Sequence, residues 1–109
     1  MNKYLLTRSD DCFRQGDVLL MSTDRIEGRK LTHLILAEGE VTGHKHQITS
    51  GEAELREQDG KLILIVSSET ATLSHEEHKP IQIPQGTWIV RTQREYSPLE
   101  EWRQRYVTD

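Results

Sequence analysis

Asp59-Gly60 constrains the fold of this chain more than any other pair of residues. Both residue types accept the positive φ that the central positions of a two-residue hairpin turn demand. Glu52 to Gln58 alternates loosely before the pair, and Lys61-Leu62-Ile63-Leu64-Ile65-Val66 follows it at once. The segment therefore predicts a β-hairpin, and it sets the pattern by which the remaining chain is read.

That pattern recurs. Asp17 to Met21 follows Gly16 and reads as a largely buried strand, and Leu31 to Leu36 reads as a second. The charged stretch from Ser22 to Lys30, with Gly28, is a loop or wide connection between them. Gly39 and Gly43 bracket a turn that leads into Gly43-His44-Lys45-His46-Gln47-Ile48. Thr70 to His75 alternates, Pro80 to Gly86 reads as a short strand closed by a Pro-Gln-Gly turn, and Thr87 to Tyr96 is the last long strand. Residues 1–11 are expected to be a loose N-terminal lead-in. Ser97-Pro98 followed by Glu100 and Glu101 predicts a short helix over about residues 98–105, with a capping serine, proline at the first helical position and acids near the positive end.

Short strands with turn signals every eight to twelve residues or so and almost no helical period give an all-β expectation. The expected form is a small antiparallel barrel or sandwich spanning residues 1–109 as a single domain. Leu, Ile, Val and Phe supply 26 of the 109 residues, about 24%, above the roughly 20% below which disorder is expected, so a modest core is available. Dimerisation is a common way for so small a barrel to enlarge its core, and a homodimer is expected.

Composition excludes several function classes. The net charge of −4 and the pI near 5.7 argue against general nucleic-acid or membrane-surface binding. Arg91, Arg94, Arg103 and Arg105 form a local basic stretch that reads as ordinary solvated faces. Cys12 is the single cysteine, so neither an internal disulfide nor a cysteine-based zinc finger can form, and its thiol is read as buried or inert. Tyr4-Leu5-Leu6 is far too short for a signal core or a membrane span, which leads to the expectation of a cytoplasmic protein.

The chemistry-bearing residues are histidines. Side chains alternate faces along a strand, so His44, His46 and Ile48 share the apolar side while Lys45 and Gln47 take the other. By the same phase Ala71, Leu73 and His75 point inward from a second strand. His78 follows three residues later, where a turn can swing it back towards His75, and Glu76 and Glu77 between them can supply a carboxylate. Two imidazoles two residues apart can both reach one ion at the ~2.0–2.1 Å of a zinc–nitrogen bond. The expected site is therefore one divalent transition metal on His44, His46, His75 and His78. Imidazole-rich ligation suits Zn, Fe, Ni, Cu or Mn alike. With an open coordination position such a site would perform metal-assisted chemistry on a small-molecule ligand; closed, it would be structural. The competing readings are a polar loop with structural histidines, in a non-enzymatic interaction or virion-associated module, and a proton-sensitive cluster. His33 reads as a satisfied strand histidine.

The His-x-His strand, the acid downstream and the Pro-Gln-Gly turn resemble a degenerate cupin. Gly39, four residues, His44-Lys45-His46, five residues, Glu52, seven residues and Gly60 follow the first cupin motif with each spacing off by one or two. Pro84-Gln85-Gly86 matches the turn of the second motif, and Ile89 stands where that motif has its histidine. The resemblance implies a jelly-roll-type barrel and ligand roles for His44, His46 and Glu52, with His75 or His78 in place of the missing fourth ligand. The chain is also similar to a set of small uncharacterised bacterial and phage proteins that share Gly16-Asp17-Val18-Leu19, Gly43 to His46, His75 to Ile81 and Gln93-Arg94-Glu95-Tyr96. That similarity implies no particular activity.

Overall fold

The computed structural model describes residues 12–39 and 41–92. The lead-in over residues 1–11, the helix expected over 98–105 and the end of the last strand lie outside the described residues. The described chain forms β1 (Cys12–Gln15), β2 (Val18–Ser22), β3 (Arg29–Lys30), β4 (Ile35–Glu38), β5 (Lys45–Ser50), β6 (Ala53–Gln58), β7 (Lys61–His75) and β8 (His78–Thr92). All pairings are antiparallel, and among the described residues there is no helix.

The expected hairpin is β6–β7. Asp59 and Gly60 both have positive φ, +53° and +80°, as a type I′ turn requires, and the register closes at Gln58 opposite Lys61. It places Leu55 opposite Leu64, and Leu64 in turn opposite Trp88 of β8. These three side chains are essentially sealed from water. Burying a side chain of this size contributes about 1.5–3 kcal/mol, so this rung is a main fastening of the sheet. Trp88 also meets Phe13 edge-on, with ring centroids 5.3 Å apart, and its indole N–H donates to the Pro84 carbonyl at 3.1 Å.

The strand order is β1-β2-β8-β7-β5-β4, with β6 on the same side of β7 as β5 and β3 beyond β6. β7 is thus shared along its length. Its first half pairs with β6 and its second half with β5, while β8 runs along its other edge. The result is a curled, open antiparallel sheet of half-barrel form around one core cluster.

Several segments differ from expectation for identifiable reasons. Lys61–Val66 and Thr70–His75 are one strand, because the polar run between them is absorbed as a bulge: Val66 pairs with Gly86 and Thr70 with Pro84, leaving Ser67, Ser68 and Glu69 opposite Gln85 alone. The Gln85 side-chain amide bonds the Ser67 carbonyl at 2.8 Å across this bulge. Pro84-Gln85-Gly86 therefore closes no strand; β8 runs straight through it. Leu31 to Leu34 precede β4, which starts only at Ile35. Cys12 opens a strand that composition did not announce, and its thiol is exposed, not buried. No helix among the described residues is long and apolar enough to cross a membrane.

Candidate metal centre

Ile48 pairs with Leu73, and both are buried. Two residues further along each strand on the same face come His46 and His75, with ring centroids 4.1 Å apart. The core thus ends in imidazoles. At the tip of the β7–β8 hairpin, His75 and His78 are direct partners across the two-residue turn Glu76-Glu77, and their rings lie 4.7 Å apart. His44, one residue before β5, stands edge-on to His75 at 5.6 Å, and His78 stacks on His46 at 5.9 Å. Of the four predicted residues, from segments about thirty residues apart, His75 is in ring contact with the other three, and His44 reaches the set through His75.

They line a cleft of about 420 Å³. Leu36 and Ala37 of β4 give it an apolar wall, and Asp17, Glu38, Thr42 and Glu77 also line it. Ala37 is the cross-strand partner of His46, so the neighbour on that side is a methyl group and the cleft stays open there. Exposure is graded across the set: His46 is 5% exposed, His44 and His75 are half-buried, and His78 is exposed.

Three of the four rings have distinct polar partners. Burial holds the His46 pKa below the usual histidine value, the neighbouring His75 lowers it further, and Asp17, whose Oδ1 lies 3.5 Å from His46 Nε2, opposes the shift. His46 Nδ1 lies 2.9 Å from Oε1 of Gln15. His44 Nδ1 faces Oε2 of Glu77 at 3.5 Å. His75 Nδ1 instead accepts the Glu77 backbone N–H at 3.0 Å, so coordination by His75 requires that bond to be released. Glu76 accepts the Lys45 backbone N–H at 2.9 Å, and this bond is the main reason its carboxyl titrates below the ordinary range. One donor atom each from His44, His75 and Glu76 already lies within 4.8 Å of the others, close enough to share an ion. Glu52 stands elsewhere, exposed at the β5–β6 connection with its backbone N–H on Ser68. His33 is an exposed residue before β4 whose Nδ1 accepts the Ile35 N–H at 3.1 Å.

Three residues of the centre were not selected from sequence: Gln15, Gly16 and Asp17. They form the end of β1 and the turn to β2, where Gln15 pairs with Val18. Gly16 has φ +61°, suited to the first central position of a II′ turn. A Cβ at Gly16 would lie 2.6 Å from His78 Nε2 and 3.2 Å from His46 Cε1, so only glycine allows the turn to rest against both rings. Gly-Asp between two short alternating runs is a hairpin signal, and it was available in the sequence.

Residues 14–93 match the family described as a domain of unknown function, DUF8820. The match runs from within β1 to the end of the described part of β8 and contains all four histidines with Gln15, Gly16 and Asp17. Neither the curated proteins nor the solved structures give a match.

Proposed function

The chain belongs to the DUF8820 family, and we propose that its function is to bind one divalent transition metal through His44, His46, His75 and His78. One observation carries the reading: four imidazoles from two distant segments converge at the end of the core, the other three each in ring contact with His75, and donor atoms of two of them, His44 and His75, come within 4.8 Å of each other and of Glu76. Imidazole nitrogens with a neighbouring carboxylate suit Zn, Fe, Ni, Cu or Mn. The cleft beside the cluster leaves room for water or a small molecule on the ion, and this favours Lewis-acid chemistry on a small-molecule ligand. In cupin terms, the His-x-His segment supplies two ligands. The other two come from the β7–β8 tip, since Ile89 lies far along β8 from His78 and pairs with Ile63.

Elemental analysis of the purified protein tests this directly. Near-stoichiometric metal is expected, and it should be lost when His44 and His46 are both changed to alanine. Metal at background in the unaltered protein would refute the proposal.

A second reading is a non-enzymatic interaction or virion-associated β module with structural histidines. It draws on the Glu77 N–H bonded to His75 Nδ1, an arrangement repeated at His33, in which the ring fastens a local turn. It predicts background metal and a stability that does not respond to added metal.

A further inference from the structure

Gln15 is 3% exposed and every polar atom of its side chain is committed. Its Nε2 donates to the carbonyls of Leu73 and Lys79, each at 2.9 Å. A carbonyl only accepts, so these two bonds settle which way the amide faces: turned over, Oε1 would confront two oxygens. Oε1 is left to accept, and the atom before it is Nδ1 of His46 at 2.9 Å. Nδ1 of the neutral ring must then carry the proton, which leaves the lone pair on Nε2. That nitrogen also faces an acceptor, Oδ1 of Asp17 at 3.5 Å on the cleft wall, but the Gln15 contact at 2.9 Å is the shorter and takes the ring's single proton.

We propose that Gln15 is the positioning residue of the centre, holding His46 as the Nδ1–H tautomer so that Nε2 is presented to the ion. The inference rests on the metal-binding reading above. Gln15 touches no ion itself; it acts through His46, in the way that partners of a ligand's second nitrogen set the tautomer and ring orientation in metal sites. The two carbonyls that orient Gln15 lie on β7 and β8, near His75 and His78 respectively. The bond network therefore places the His46 lone pair relative to the hairpin tip that carries the other pair of rings.

The test combines nitrogen-15 NMR of the metal-free protein above neutral pH with Co(II) titration of two variants. In the wild-type protein His46 should show Nδ1 protonated and Nε2 bare. Gln15→Met removes the acceptor, and Co(II) affinity should fall about 10- to 100-fold. Gln15→Glu restores an acceptor for Nδ1 but sets a carboxylate oxygen against the Leu73 and Lys79 carbonyls, so the protein should become less stable while part of the Co(II) affinity lost in Gln15→Met returns. A purely structural role would instead lower affinity in both variants in step with their stability, and that result would overturn the proposal. So would an Nε2–H tautomer in the wild-type protein, a readout that does not depend on either variant folding. Wild-type protein that shows the Nδ1–H tautomer but takes up no Co(II) would place the failure in the metal reading, and the positioning role would fall with it.

Discussion

His46 is the residue at which burial and chemistry meet, and its titration ties the two together. Burial is the leading cause that lowers its pKa in the folded chain, below the reference value of 6.5. Above that value the ring is neutral whether the chain is folded or not, and it contributes no pH dependence. As pH falls below it the unfolded chain takes up the proton first, so the unfolded state gains relative to the folded one until the folded pKa is reached. Metal-free protein should accordingly show a denaturant midpoint that is flat above the ordinary histidine range and declines below it. Part of that slope should vanish in His46→Leu; an unchanged slope would mean that the acid sensitivity comes from other groups. The inward direction of His46 was legible because Ile48 lies two residues away on the same face. Gln15 was not legible. A glutamine in a four-residue strand carries no periodicity, and its importance comes from two carbonyls about sixty residues further along the chain.

At the level of elements, three two-residue hairpin turns among the described residues organise the sheet, and they differ in what stands over them. Asp59-Gly60 was readable because its residue types match its backbone. Gly60 has φ +80° and nothing within 4 Å of where a Cβ would sit. Gly16, at φ +61°, instead has His78 and His46 above it. Gly60→Ala and Gly16→Ala should each cost about 1–2 kcal/mol from the left-handed backbone alone. Only Gly16→Ala should also displace the His78 ring, and only it should weaken Co(II) binding. Equal Co(II) affinity in the two alanine variants would remove His78 from the ligand set. The third turn, Glu76-Glu77, carries no turn-favouring residue type, so the sequence suggested only that His78 can swing back towards His75. The lengths of β7 and β8 were illegible for a related reason: a bulge hides polar residues inside a strand, and Ser67 to Glu69 read as a break.

Across the whole molecule, the sheet is open, and the histidine cluster sits where its curl brings separate segments together. His44 and His46 belong to the β5 side, His75 and His78 to the β7–β8 tip, and the β1–β2 turn reaches the same point through Gln15. An ion held by rings from both sides would tie these parts to one another and would bind the folded chain in preference to the unfolded one. Linkage then gives about 2.7 kcal/mol of added stability when free metal is a hundredfold above its dissociation constant. For a domain of this size that corresponds to a rise in melting temperature on the order of 10–20 °C. Thermal unfolding followed with chelator and then with added Zn(II) measures it. The rise should be absent from the variant with both His44 and His46 changed to alanine. Because the wild-type protein and the variant share the same core rung of Leu55, Leu64 and Trp88, a rise that survives in the alanine variant would locate the ion away from this cluster.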